Sequence, residues 1–96
     1  MQFLDAATVR ARLPWPRMLA ALDEALRAEV HAPLRVNHAV EVPGLPAASL
    51  LLMPAWRTGR HVGVKLVTVF PGNATRGERS VAAVYVLFDA TSGAPI

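Results

Sequence analysis

The hydrophobic period of the sequence changes at Pro33, and this change constrains the fold more than any other feature. Upstream, apolar residues over Arg17–Val30 recur every three or four positions, which is typical of an amphipathic helix. Downstream, apolar and polar residues alternate over Arg35–Val42, which is the period of a β-strand. The residue before a proline avoids the α-helical region, so we expect the helix to end at Pro33. The sequence therefore predicts helix first and strands afterwards.

Two helical segments are expected before Pro33. The longer one begins at Pro14-Trp15-Pro16, because proline is well tolerated in a first turn. It continues through Ala, Leu, Glu and Arg, which are strong helix formers. A shorter segment over Ala6–Leu13 follows Asp5, whose carboxylate can cap its first turn.

Turn-forming residues separate four predicted strands. These strands are Arg35–Val42, Ser49–Met53, His61–Phe70 and Val81–Asp89. We expect Pro54 to stop the second strand. The short connections favour an α+β domain with a mostly antiparallel or mixed sheet of about four strands. Residues 89–96 resemble a hairpin leading into a further strand, so we expect the chain to be truncated inside an element.

The composition excludes several classes of protein. A length of 96 residues with 53% hydrophobic residues indicates one folded domain with an exposed apolar face, rather than disorder. The absence of cysteine excludes disulfides and thiolate metal sites. No apolar run reaches the ~18 residues of a membrane span, so we expect a cytoplasmic protein without a membrane partner. The nine arginines are spread along the chain without a basic cluster, which argues against nucleic acid.

Lys65, the only lysine, lies in the middle of the most apolar predicted strand. Alternation puts it on the same face as Gly63 and Val67. Two interpretations are open. The lysine can be an ordinary exposed charge on a solvated face, or it can lie at the floor of a pocket and bind an anion.

Arg35 also has two interpretations. It can neutralise the carbonyl end of the preceding helix, or its planar guanidinium can bind a carboxylate. The three histidines lack the i, i+4 spacing of metal ligands, so we expect no metal site.

The segment LLLMPAWRTGRHVGVKLVTVFPGN, Leu50–Asn73, resembles the ornithine cyclodeaminase/mu-crystallin family. The resemblance rests on a Met-Pro-Ala-Trp segment, a Gly-x-Lys strand and a Phe-Pro-Gly-Asn turn. The Pro33–Arg35 segment is similar to the Pro-x-Arg element of that family, and Leu4–Arg27 is similar to its opening. The resemblance covers nearly the whole chain.

The resemblance implies a protein more than three times as long as this chain. Such proteins have a discontinuous substrate-binding and dimerisation domain and a Rossmann domain that binds NAD or NADP. Residues 1–96 would be a partial N-terminal substrate-binding and dimerisation domain, with the Rossmann domain absent. We therefore expect a homodimer, no cofactor in this chain alone, and no activity from it alone.

The resemblance also implies roles for particular residues. Arg35 and Lys65 would hold the carboxylate of a small amino acid or imine, Met53 would line the pocket, and no catalytic residue would lie in this portion. The activity would be of the ornithine cyclodeaminase, alanine dehydrogenase or ketimine/pyrroline-carboxylate reductase type. Ornithine-deaminating members carry an acid where this chain has Leu51, so a less cationic substrate is expected. The alternative is a non-enzymatic interaction or dimerisation module that pairs through its sheet.

Overall fold

A computed structural model describes all 96 residues of the chain. In chain order its elements are α1 (Ala6–Arg12), α2 (Trp15–Arg27), β1 (Val36–Val40), β2 (Ala48–Arg57), β3 (His61–Val69), a 3₁₀ helix (Pro71–Arg76) and β4 (Val81–Asp89). The strands form one sheet in the order β1-β2-β3-β4, and every pair is antiparallel. The predicted α+β fold with helices followed by about four strands is therefore confirmed.

The two α-helices differ in how they end. At the start of α1, the Thr8 amide donates a hydrogen bond of 2.8 Å to Asp5 Oδ1, so the predicted cap is confirmed. The prediction that the second helix continues to Pro33 is wrong, because α2 ends at Arg27 and Ala28 is already extended. The chain then runs to His31, whose backbone pairs with β2, and a helical path would not bring it there.

β2 passes through Pro54, so the prediction that this proline stops the strand is wrong. The reason is that a backbone N–H at this position would point toward the β1 side of the strand. The amide of Trp56 donates to the carbonyl of His31 on the β1 side, at 2.9 Å, and alternation turns the nitrogen of Pro54 to the same side. The β1 ladder begins only at Val36 opposite Leu52, so no ladder hydrogen bond is lost at the proline.

The chain turns back along β4 after Asp89. Pro95 bridges to Phe88, and the amide of Ile96 donates to the carbonyl of Leu87 at 2.9 Å. The predicted hairpin is thus present, and its returning arm pairs with the last residues of β4. The amide of Gln2 donates to the carbonyl of Ile96 at 2.7 Å, so the two termini meet at this edge.

The fold buries little of its own surface. Four of 96 residues are buried, namely Ala48, Gly63, Val67 and Gly72. The accessible surface is 7661 Å², whereas a compact monomer of this mass exposes roughly 5,400 Å². The radius of gyration is 16.1 Å, against about 13 Å for a compact domain of this length. The predicted exposed apolar surface is therefore present.

Neither α-helix has the length and apolar character that crossing a membrane requires.

Candidate functional site

Two of the three residues predicted to bind a substrate are directly opposed in the sheet, and the third precedes the neighbouring strand. Met53 on β2 is directly opposite Lys65 on β3, and Lys65 is directly opposite Tyr85 on β4. Arg35 immediately precedes β1, whose first residue, Val36, is opposite Leu52, the neighbour of Met53. Directly opposed residues of antiparallel strands project from the same face of a sheet. The structure thus brings Met53 and Lys65 together, places Arg35 at the β1 edge, and adds Tyr85. We call these four residues the site row.

Both cations of the site row lack an anionic partner within the chain. Lys65 and Arg35 are exposed, and Met53 is half-buried. The four ion pairs of the molecule involve other residues. On either side of Lys65 along β3, Gly63 and Val67 are buried, so the lysine rises from an apolar surface. Its ammonium group and the Arg35 guanidinium are available to an anion.

Tyr85 was missed by the sequence analysis, and Gly63 explains its position. The hydroxyl end of the tyrosine ring lies over Gly63, where a Cβ atom would collide with Oη and Cζ of Tyr85. Gly63 is buried, while Tyr85 is 62% exposed. The available signal was a glycine inside a strand of β-branched residues, because such a glycine often marks a close approach by another group.

The segment before β1, which includes Arg35, has one residue more than the opposing part of β2. His31 pairs with Trp56, and Val36 pairs with Leu52. Four residues therefore separate the two pairs on the β1 side, whereas three separate them on β2. Residues 32–35 thus leave the regular pairing between the two pairs. Neither the period of the sequence nor its turn signals indicated this extra residue.

The Pro-Gly-Asn segment has a structural role at the end of β3. Asn73 Nδ2 donates to the Arg79 carbonyl at 2.9 Å, and Asn73 Oδ1 accepts from Arg76 Nη2 at 2.6 Å. Gly72 is buried, and a Cβ atom there would lie 3.2 Å from Leu45. The motif therefore stabilises the 3₁₀ helix through the side chain of Asn73 and packs it against the turn between β1 and β2.

Asp89, the acid closest to the site row on this face of β4, accepts hydrogen bonds within the turn that follows the strand. Backbone hydrogen bonds from Ser92 and Thr91, together with the Ser92 hydroxyl, lower the pKa of Asp89 below its usual value. Asp89 is opposite His61, whose charge acts in the same direction. His31 stacks on Trp56 with ring centroids 5.5 Å apart, so this histidine has a packing role.

The whole chain matches a known family of proteins. The chain belongs to the ornithine cyclodeaminase/mu-crystallin family, whose model matches residues 1–96. It is 36% identical over 95 residues to an uncharacterised protein of Schizosaccharomyces pombe, with 96% of this chain and 29% of that protein covered. It is 34% identical over 92 residues to a Δ1-pyrroline-2-carboxylate reductase of Paracoccus denitrificans, with 96% and 28% covered.

A solved structure supports the fold. It is a lysine cyclodeaminase, studied for its recognition of L-lysine, L-ornithine and L-2,4-diaminobutyric acid. The match has a TM-score of 0.69 and 27% identity, and it covers 93% of this chain and 28% of the cyclodeaminase. The family resemblance seen in the sequence is confirmed, and the chain spans less than a third of the length of these relatives.

Proposed function

We propose that this chain is the N-terminal part of the substrate-binding and dimerisation domain of an NAD(P)-dependent oxidoreductase that acts on amino acids or imines. The observation that carries the proposal is the site row, in which the sole lysine is opposite Met53 and Arg35 immediately precedes the strand on the other side of Met53. Family membership supports it, since the relatives include a pyrroline-carboxylate reductase and a lysine cyclodeaminase. The substrates in those two names share a carboxylate.

Arg35 and Lys65 would bind that carboxylate. A guanidinium presents a planar fork that matches both carboxylate oxygens, while an ammonium acts as a mobile point charge. Because neither cation has an ion-pair partner in the chain, binding of a carboxylate would not require a salt bridge to be broken. Met53 lies between them in the row, and its flexible thioether would contact the hydrocarbon next to the carboxylate. The chain would thus fix the position of the substrate Cα, which is a positioning role.

The residues of this chain do not fit a nicotinamide dinucleotide. Its pyrophosphate usually binds where a strand leads through a glycine-rich turn into an α-helix. Here both α-helices precede the first strand. After β3 the chain forms a 3₁₀ helix in which Leu45 covers Gly72. We propose that NAD or NADP is held outside these 96 residues, and we predict that the isolated chain binds neither.

The exposed apolar surface supports the homodimer. The accessible surface of 7661 Å² exceeds that of a compact monomer by roughly 2,300 Å². Obligate dimers bury roughly 2,000–5,000 Å² in total, so this excess is large enough for one side of a dimer interface together with contacts to the rest of the proposed domain. The same surface favours the second candidate function, a non-enzymatic dimerisation module. Only the enzyme proposal requires the cations of the site row.

The test joins this chain to the remaining part of the Paracoccus reductase and measures reduction of Δ1-pyrroline-2-carboxylate. Lys65→Met keeps the length of the side chain and removes its charge. We expect this variant, and Arg35→Ala, to lower kcat/KM by about tenfold to a hundredfold, because each charged hydrogen bond contributes roughly 1.5–3 kcal/mol.

The control is Arg60→Met, which removes an exposed cation in the turn between β2 and β3. It should leave kcat/KM within about twofold of the parent, since less than 0.5 kcal/mol is involved. Parent kinetics in Lys65→Met, with an intact circular dichroism spectrum, would exclude the carboxylate role. Dimer formation without any dependence on Lys65 and Arg35 would then favour the module.

A further inference from the structure

We infer that Tyr85 is a specificity-determining residue that forms the wall of the site beside Lys65 and favours planar, neutral carboxylates over cationic straight-chain amino acids. The inference rests on the proposed function, because it requires a carboxylate bound at Lys65. It goes further by naming the side chain that would favour cyclic imine or heteroaromatic carboxylates over the other carboxylates of the proposed function.

The first support is the position of Tyr85. Directly opposed residues of antiparallel strands have Cβ atoms about 4.5–5.5 Å apart, so the tyrosine begins beside Lys65. Its hydroxyl end lies over Gly63, which has no side chain to push it away. The ring is thus held along the sheet surface instead of standing away from it. A carboxylate bound by Lys65 would place the rest of the substrate next to an exposed aromatic surface.

The second support is the chemistry around the site row. Its neighbours on the same face carry no acid; they are Leu51, Ala55, Gly63, Val67, Ala83 and Leu87. The closest acid on that face of β4 is Asp89, which already accepts hydrogen bonds from the Ser92 and Thr91 amides and the Ser92 hydroxyl. A cationic substrate side chain would find no carboxylate partner here. A planar ring would find apolar surface and an aromatic neighbour.

The third support is the free hydroxyl of Tyr85. It takes part in none of the side-chain hydrogen bonds of the chain. Since a phenol both donates and accepts, it can bond to a ring nitrogen of a substrate that lies over the tyrosine. A tyrosine that only packed against Gly63 would not need this hydroxyl, so Tyr85→Phe separates the contribution of the hydroxyl from that of the ring.

The experiment uses the fusion with the Paracoccus reductase and measures inhibition constants of two unreactive competitors. Pyrrole-2-carboxylate is planar and neutral beyond its carboxylate, and L-ornithine is extended and cationic. We expect Tyr85→Ala to raise the inhibition constant of pyrrole-2-carboxylate by about tenfold, as lost aromatic contact predicts. That of L-ornithine should stay within about twofold, because its binding does not use the ring. Tyr85→Phe should show the smaller loss that belongs to the hydroxyl alone.

The matched control is Val84→Ala. Val84 is the neighbouring residue on the opposite face, with 63% exposure against 62% for Tyr85, and its replacement should change neither constant. Tyr85→Leu keeps apolar bulk over Gly63 and provides the measurement if the alanine variant does not fold. Equal changes for both competitors in Tyr85→Ala or Tyr85→Leu, or no change, would overturn the inference.

Lys65→Met distinguishes failure of the inference from failure of the proposed function. Both competitors carry a carboxylate, so loss of the ammonium should weaken both. Weakening of both in Lys65→Met, with no selective effect of Tyr85, would leave the carboxylate site standing and remove the role of the tyrosine. No effect of Lys65→Met on either competitor would contradict the proposed function itself.

Discussion

The sheet and the two α-helices are held in place by different interactions. Strands β2 and β3 pair along nine residues, and the sheet contains the buried Ala48, Gly63 and Val67. The helices contain no buried residue, and the apolar side of α2 is exposed, with Leu26 at 85%. A hydrogen-bonded ladder fixes neighbouring residues without a large core, whereas a helix depends on burying its apolar stripe. The pairing of Met53, Lys65 and Tyr85 is therefore fixed within the chain, while the apolar side of α2 is left exposed.

The largest expected effect comes from an aspartate buried in the sheet, and the comparison is the same residue placed on the exposed side of α2. Val67→Asp buries an unpaired carboxylate at a position that is 7% exposed, and should lower the free energy of unfolding by about 3 kcal/mol or more. Leu26→Asp on the exposed side of α2 should cost only about 1 kcal/mol, through lower helix propensity and an acid near the helix C-terminus. Urea denaturation followed by circular dichroism measures both. Equal losses would show that α2 is packed as firmly as the sheet.

A second substitution sharpens the account of the sheet. Gly63→Ala adds a methyl group where the exposed ring of Tyr85 lies, so the ring must move, and the change should cost about 1 kcal/mol of stability, the low end of overpacking. In a Tyr85→Ala background the obstacle is gone, so the same change should cost clearly less. The double-mutant cycle measures this coupling. Additive costs would mean that the glycine is needed for a reason other than the tyrosine.

The two asparagines provide a smaller, matched test of the connections. Asn73 bonds to Arg79 and Arg76, whereas Asn37 on β1 is exposed and makes no side-chain hydrogen bond. Asn73→Ala should lower stability by about 1 kcal/mol, since a net hydrogen bond contributes about that amount. Asn37→Ala should be close to neutral in the same denaturation assay. A neutral Asn73→Ala would contradict the structural role of the Pro-Gly-Asn motif.

The smallest effect is expected at the turn after β4. Hydrogen bonds from Ser92 and Thr91 lower the pKa of Asp89 in the folded chain. The stabilisation they give is therefore present above the ordinary aspartate pKa and is lost as the pH falls through the lowered value. Amide exchange at Thr91 and Ser92 should accelerate in that acidic range. In Asp89→Asn the side chain still accepts hydrogen bonds but does not titrate, so this pH dependence should disappear.

Much of this arrangement could be predicted from the sequence because it follows from local patterns. β4 was predicted at its observed bounds, and alternation put Lys65 on the face of Gly63 and Val67. The end of α2 and the course of β2 through Pro54 could not be predicted, because both depend on the pairing of His31 with Trp56, 25 positions along the chain. Tyr85 was missed because its position beside Lys65 is a cross-strand relation, which no spacing within one strand reveals.

The extra residue before β1 leaves this segment room to change in length. Between His31 and Val36 one strand has one residue more than the other. Losing that residue would make the two sides equal, so His31 would still be opposite Trp56 in an uninterrupted ladder. Gaining residues would lengthen an unpaired segment at the edge of the sheet without moving either pair. Length variation among homologues in this segment should therefore leave the stacking of His31 on Trp56 in place.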